Sequence, residues 1–267
     1  MGSISIREYI RWLPSPPSEN TSTLVLTSPG RRYVDIRMLL PPPGTKTTNE
    51  GGSADESDET IEWAFAGTSS SEIRANGIKH STWRHFVDSR TRDDAEGVVD
   101  EADMFPAPPL PSDEGGSGSD RTLEKGRMVN PDTGLETDYE EMWRDVEPVA
   151  VPSSGGGGGG DKIRSAVLEL RDDAAGRRGL VVCLGRRCQG VVRCGDAFAL
   201  EQWEWQQQEQ GGSGKDEGEG GWKRRRRVGA GDLYLPCQDA VEKVADLDVG
   251  GRIERDGVVW TVVEASQ

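Results

Sequence analysis

Residues 123–147 read LEKGRMVNPDTGLETDYEEMWRDVE and lie between two tracts that are poor in apolar residues. Residues 130–134, Asn-Pro-Asp-Thr-Gly, have the chemistry of a tight turn, because proline presets φ, Asn and Asp bond to nearby backbone, and glycine accepts a positive φ. After the turn, Tyr139, Trp143 and Val146 stand among acidic residues and supply enough apolar surface to anchor the segment on a core. We therefore predict that this stretch closes one β-barrel and opens a second.

The composition is uneven along the chain. Its 267 residues allow two domains of ordinary size. Hydrophobic residues make up only 33% of the total, but the deficit is concentrated in a few tracts of Gly, Ser, Asp, Glu and Pro, which bury too little apolar surface to fold. We predict disordered insertions at about residues 44–59, 91–120, 152–162 and 206–221, the third of which contains six consecutive glycines.

Charge and residue usage exclude several classes of function. The formal net charge of -15 disfavours binding to nucleic acid or to an anionic membrane. No apolar run approaches the length of a membrane span, and the first residues lack the pattern of a signal peptide, so we expect no membrane insertion. The four cysteines form no C-x-x-C pair, and two histidines cannot complete a typical zinc site. We expect reduced cysteines, no metal and no cofactor.

Short runs with a period of two dominate the remaining sequence and indicate antiparallel strands with one buried face. Residues 32–40 are an example, in which alternate side chains are predicted to point to the core and to solvent: Val34, Ile36 and Met38 inward, and Tyr33, Asp35 and Arg37 outward. No segment has helical periodicity over several turns, although one short helix fits residues 237–245. These runs predict an all-β fold.

The two halves of the sequence resemble each other. Gly-Arg-Arg at residues 30–32 recurs at residues 176–178, and at the same spacing three apolar positions of the first half match three of the second: Val34, Ile36 and Met38 match Leu180, Val182 and Leu184. Tyr9 and Trp12 open the first half as Tyr139 and Trp143 open the second. We predict an internal duplication, with two similar up-and-down barrels at residues 1–134 and 135–267.

The tryptophans are the strongest candidates for a binding site. Trp63, Trp83, Trp143 and Trp260 fall in or beside predicted strands, where they would line a barrel and contact a ligand. We favour the other interpretation, that they plug narrow barrels, which need large side chains.

The histidines, a basic run and two serines each allow a structural and a functional interpretation. His80 and His85 lie on opposite faces of one strand, so we expect satisfied histidines rather than a metal site or a haem ligand. The basic run at residues 223–227 fits a solvated strand better than a nucleic-acid patch, and a nuclear-import signal is left open. Ser53 and Ser57 stand among acids that suit casein-kinase-type phosphorylation.

A family resemblance enters at the central stretch. RMVNPDTG at residues 127–134, followed by YEEMW at residues 139–143, resembles the Hri family of fungal proteins, which is named for interaction with a casein-kinase-one-type protein kinase. Trp12 and the strands at residues 31–38, 82–84 and 257–263 resemble it too. The resemblance implies two calycin-like, lipocalin-like β-barrels, a cytoplasmic and nuclear location, a kinase partner and no established catalytic residues.

Two functions follow as expectations. The first is a non-enzymatic binding or adaptor protein that interacts with such a kinase and with other proteins. The alternative is a lipocalin-like carrier of a small apolar ligand. A cavity lined by tryptophan with a few convergent polar groups would favour the carrier, whereas a filled interior would favour the adaptor. A buried carboxylate or histidine facing a cavity would favour an enzymatic function, which we do not expect.

Overall fold

The computed structural model describes residues 1–41, 60–91, 94–107, 120–152, 162–207 and 220–266. The tracts predicted at about residues 44–59, 152–162 and 206–221 lie wholly or mostly outside these residues, as do Ser53 and Ser57. Within the described ranges the fold is all-β, as predicted, with one α-helix and one turn of 3₁₀-helix. These ranges contain no helix with the length and apolar character of a membrane span.

The first half is a closed barrel of eight antiparallel strands, each paired with the next along the chain. The strands are β1 (Ser3–Trp12), β2 (Thr21–Thr27), β3 (Arg32–Leu39), β4 (Ile61–Ile73), β5 (Lys79–Asp88), β6 (Val99–Pro106), β7 (Arg121–Val129) and β8 (Glu136–Val146). The sheet closes because β8 returns to pair with β1. Closure removes every free strand edge, which confirms the predicted up-and-down barrel.

The second half is a curled seven-stranded sheet in the order β13-β12-β11-β10-β9-β15-β14. Its elements are β9 (Ser165–Asp172), β10 (Arg177–Leu184), β11 (Arg187–Cys194), β12 (Ala197–Gln206), β13 (Gly221–Gly229), α1 (Cys237–Lys243), β14 (Arg252–Arg255) and β15 (Val258–Ser266). This unit is barrel-like but open between β13 and β14. The segment that contains α1 packs into its apolar core.

The central stretch closes the first barrel but does not open the second. β8 pairs with β1 and β7, so all of Glu136–Val146 belongs to the first barrel. The predicted boundary at residue 134 therefore lies one strand too early, because strand pairing changes partners only between Val146 and Ser165. Tyr139 and Trp143 close the first half rather than opening the second. That the two halves are separate folding domains stays a prediction.

The tract predicted to be disordered at about residues 91–120 contains a strand, β6, so the prediction is wrong for Val99–Pro106. This strand is rich in acids, but two of them have buried partners. Asp100 lies 3.1 Å from His85 Nε2, and Asp103 lies 2.8 Å from His80 Nδ1. Pairing with β5 and β7 supplies the backbone hydrogen bonds that the composition alone did not indicate.

The prediction of which face of β3 points to the barrel interior, made from the alternation of apolar and polar residues, is wrong. Tyr33, Asp35 and Arg37 point into the barrel, where they line a cavity. The apolar side chains point outward and form one buried cluster with the second half: Val34, Ile36 and Met38 with Leu180, Val182 and Leu184. The second sheet covers this side of the barrel. The outer surface of the barrel is therefore part of an apolar core, whereas the interior of the barrel is polar. The two matched triplets meet at this interface.

Polar contacts across the same interface fix the two halves to each other. The amide of Gln189, which is fully buried, donates to the backbone oxygens of Leu24 at 3.0 Å and Val34 at 2.6 Å. Arg32 on the barrel lies 2.7 Å from the Glu264 carboxylate of β15. These contacts satisfy polar groups that the interface removes from water, which is required for burial without a penalty.

Candidate functional site

The interior of the first barrel contains a cavity of about 170 Å³ that is partly open to solvent. A cavity of roughly 150 Å³ accepts a molecule of the size of benzene, whereas drug-sized ligands need about 300 Å³ or more. Residues from all eight strands line it, and the lining mixes charged and aromatic side chains. Trp83 and Trp143 are among them.

Two arginines and three acids form the arginine–carboxylate cluster inside the barrel: Arg7, Glu19, Asp35, Arg37 and Glu141. Arg7 Nη1 lies 2.6 Å from Glu141 Oε1, and Arg7 Nε lies 2.8 Å from Glu19 Oε2. Arg37 Nη2 lies 2.9 Å from Asp35 Oδ2, and Arg37 Nη1 lies 3.4 Å from Glu141 Oε1. Each arginine therefore pairs with two carboxylates of this cluster.

Burial and charge act in opposite directions on this cluster. Burial alone lowers the pKa of Arg37, but the carboxylates of Asp35 and Glu141 outweigh it and hold the pKa well above its ordinary value. Burial raises the pKa of Asp35, and Arg37 only partly offsets the shift. Charges in such a site stay ionised because they are paired, so removal of one partner leaves an uncompensated buried charge.

Glu124 on β7 is the buried acid with the most perturbed titration. Burial, and then the nearby charge of Glu141, raise the pKa of Glu124 to about 8. The Tyr139 hydroxyl donates a hydrogen bond of 2.8 Å to Glu124 Oε1. Glu124 is therefore protonated at neutral pH, while its cavity neighbour Glu141 is paired with the two arginines.

The parent protein should lose stability as the pH rises, and we expect the Glu124→Gln variant to lack this loss. The unfolded chain releases this proton near pH 4.5, whereas the folded protein keeps it up to about pH 8, so stability falls as the pH rises through this window. Glutamine keeps an acceptor for Tyr139 but carries no charge. At pH 9 the variant should be more stable than the parent by on the order of a few kcal/mol, measured by urea unfolding, and about equally stable at pH 4.

The control is Glu140→Gln. Glu140 directly precedes Glu141 on β8, faces outward and pairs with Lys125 at 2.8 Å. Loss of this surface pair should cost less than about 1 kcal/mol without a pH trend. A Glu124→Gln variant that kept the parent's dependence on pH would contradict the assignment of this proton.

An aromatic and histidine group lies beside the cavity. His85 is buried, stacks on Phe65 with ring centroids 4.3 Å apart, and bonds Asp88 at 2.7 Å and Asp100 at 3.1 Å. Burial lowers the pKa of His85, but the hydrogen bonds with Asp100 and Asp88 outweigh it and raise the pKa. Both ring nitrogens are occupied, so the satisfied histidine expected from the sequence fits better than a haem ligand. His80 lies on the outer face of the same strand.

The other two predicted tryptophans do not line this cavity. Trp63 is buried next to it, where its indole N–H donates to the Asp88 carboxylate at 3.2 Å and Arg37 lies 5.1 Å above the ring. Trp260 is fully buried in the apolar core of the second half. Trp83 and Trp143 thus share a site, whereas Trp260 plugs the other unit.

Sequence reasoning missed the charged residues of the site. The alternation places Asp35 and Arg37 on a solvent face, and no sequence pattern singles out Arg7 or Glu124. One signal was available: the polar face of residues 33–37 pairs opposite charges two positions apart, which suits a buried ion pair as well as a solvated one.

A family model described as Protein HRI1 matches residues 3–264. The chain belongs to this HRI1 family. The crystal structure of an uncharacterized protein from Saccharomyces cerevisiae is also similar, with a TM-score of 0.64 and 21% identity over 100% of both chains. This likeness supports the fold alone. Among curated proteins no match was found.

Two further features of this HRI1-family chain bear on its chemistry. The described residues contain no group of three or more His, Cys, Asp or Glu arranged to hold a metal ion. The basic run at residues 223–227 lies in β13, as the strand interpretation predicted, and its last arginine, Arg227, pairs with Glu201 on β12.

Proposed function

We propose that this chain is a non-enzymatic binding protein whose first barrel is a chamber for a small polar molecule. The observation that carries the proposal is the contrast between the two units. The interior of the first holds a cavity of about 170 Å³ with charged and aromatic walls. Apolar side chains and α1 fill the core of the second, whose own cavity of about 520 Å³ lies outside that core, between α1 and the strands β12, β13 and β14. A lining of paired charges favours a polar occupant over the apolar ligand expected from the sequence, because burying these charges against hydrocarbon is costly.

The absence of catalysis is part of this proposal. It is supported by the use of the buried polar groups: Glu141 neutralises two arginines, and His85 is held by two carboxylates. Glu124, the buried carboxyl group with a raised pKa that faces the cavity, accepts a hydrogen bond from the Tyr139 hydroxyl. A general acid or base needs free access to a substrate proton. These groups instead shape and charge the chamber.

Native mass spectrometry of the protein purified from its own cells tests the chamber. We expect a bound molecule of defined small mass that is lost on denaturation. Val25 lines the cavity, so Val25→Trp should fill it and abolish the added mass while the circular dichroism spectrum is kept. The matched control is Val99→Trp on β6, because Val99 is absent from the cavity lining and 37% exposed. A parent protein that retains no molecule contradicts the proposal.

A role with protein partners is the second candidate. It is supported by exposed aliphatic side chains at one end of the barrel, where Leu13, Val129 and Leu135 are exposed by 36%, 57% and 67%. The resemblance implies a casein-kinase-one-type kinase as the partner, Ser53 and Ser57 as phosphorylation sites, and a cytoplasmic and nuclear location. Binding of the purified kinase that Leu135→Asp weakens would support this role, and equal binding by both proteins would contradict the surface.

A further inference from the structure

Three buried polar atoms of residues that line the cavity have no hydrogen-bond partner among the described residues: the Tyr33 hydroxyl, Asp35 Oδ1 and Trp143 Nε1. Tyr33 and Asp35 are only 1% and 4% exposed, and both line the cavity. An unsatisfied buried polar group costs about 1–3 kcal/mol, so such groups call for an occupant. The Tyr33 hydroxyl and Asp35 Oδ1 can accept a hydrogen bond, which points to a donor, whereas Trp143 Nε1 can only donate one.

The charges of the lining favour a cation. With Glu124 protonated at neutral pH, four carboxylates line the cavity against three basic side chains: Asp35, Asp100, Glu141 and Asp145 against Arg31, Arg37 and Lys79. Arg37 already spends its donors on Asp35 and Glu141. A positively charged group would balance this excess, whereas an anion would add to it.

The walls of the cavity also suit a cation with an apolar part. Aromatic rings face it from four strands: Tyr33, Phe65, Trp83, Tyr139 and Trp143. The face of an aromatic ring attracts a cation and packs against hydrocarbon equally well. The volume of about 170 Å³ limits the occupant to a small molecule. By comparison with benzene in a similar space, this means on the order of six to ten non-hydrogen atoms.

Resting on the proposed chamber, we infer that the first barrel binds a small primary amine, whose ammonium group donates to Asp35 Oδ1 and the Tyr33 hydroxyl while its apolar part contacts the aromatic walls. The ammonium supplies the hydrogen bonds that these two atoms lack. Its positive charge offsets the excess of carboxyl groups. In this inference Asp35 and Tyr33 select the ligand by hydrogen bonding, and Trp83 and Trp143 pack against its apolar part.

The titration of Glu124 adds an expected dependence on pH. A bound cation favours the ionised form of Glu124, whose pKa is about 8 in the protein. Binding of the amine should therefore tighten as the pH rises through about 8, and below that pH it should release a proton. Calorimetry in two buffers that differ in ionisation enthalpy would report this proton.

The test uses three probes of nearly equal size and different charge: 2-phenylethylamine, 2-phenylethanol and phenylacetate. Isothermal titration calorimetry of the full chain should give at least a tenfold higher affinity for the amine than for the alcohol, and the weakest binding for the carboxylate. Tyr33→Phe removes only an unpartnered hydroxyl, so the variant should fold normally and bind the amine severalfold more weakly. Asp35→Asn should lose at least tenfold in amine affinity and little in alcohol affinity.

The control variant is Asp138→Asn, because Asp138 is an exposed acid on β8 whose partner is Arg127 at the surface. It should bind the amine as the parent does. Equal or tighter binding of the alcohol or the carboxylate would overturn the assignment of an amine but leave the chamber intact. If none of the probes binds although native mass spectrometry detects a retained molecule, the amine is again overturned. If neither experiment detects binding, the proposal that the first barrel is a binding chamber is overturned as well.

Discussion

Replacing Arg37 with methionine is expected to lower the free energy of unfolding by about 3–5 kcal/mol, because it leaves a buried charge without its partner. Arg37 is 7% exposed and bonds Asp35 and Glu141 inside the barrel. Methionine has similar length and fits apolar surroundings, so the cost comes from the orphaned Asp35 carboxylate rather than from a void. Urea unfolding followed by circular dichroism measures this difference.

A double variant separates charge from packing. Asp35→Asn combined with Arg37→Met removes both charges, so it should recover part of the loss seen for Arg37→Met alone. The surface control is Arg127→Met. The Arg127 side chain is 60% exposed and pairs with Asp138, so its loss should cost less than about 1 kcal/mol. A cost for Arg37→Met no greater than that of the control would mean that water reaches the arginine–carboxylate cluster freely.

The reversed faces of β3 show how far the sequence leads. A period of two identifies a strand and sorts its side chains into two sets, but it does not say which set faces a barrel interior. The apolar set was assigned to that interior, which is the usual arrangement for an isolated barrel. Here Val34 and Ile36 meet Leu180 and Val182 of the other half. Only knowledge of this packing partner could have corrected the assignment.

The candidate site was only partly predictable for a related reason. Trp83 and Trp143 stand out by residue type, and both line the cavity. The Arg7–Glu141 contact joins residues 134 positions apart. It exists because β1 pairs with β8, and local sequence patterns do not record which distant strands close a barrel. The same limit explains why the turn at residues 130–134 was interpreted as the end of the first unit.

The two halves depend on each other through the cluster that they share. Leu26, Val34 and Ile36 from the barrel are fully buried in it together with Leu180 and Val182 from the second sheet. Separation of the halves would expose this apolar surface at a cost of roughly 25 cal/mol per Å². Loss of structure in one half should therefore destabilise the other, and the chain should unfold in one cooperative step despite its two sheets.

Trp260→Ala tests this coupling and is expected to cost about 3–5 kcal/mol, as large-to-small substitutions of buried tryptophan do. Trp260 is fully buried in the core of the second half, and its indole packs so closely on Gly179 that a Cβ there would lie 2.3 Å from the ring. No neighbour can fill the space without moving β10. The exposed Val249→Ala, with Val249 66% exposed in the same half, should change stability by less than about 0.5 kcal/mol.

Hydrogen exchange resolved by strand decides whether the loss crosses the interface. If the shared cluster couples the halves, Trp260→Ala should speed exchange of the slowest amides in β3 and β10 by the same factor, because both are released by the same global opening. A cost of about 4 kcal/mol corresponds to nearly a thousandfold in the opening equilibrium. Faster exchange confined to β10, with β3 unchanged, would mean that the barrel stays folded when the second sheet opens, and that the halves behave as independent domains.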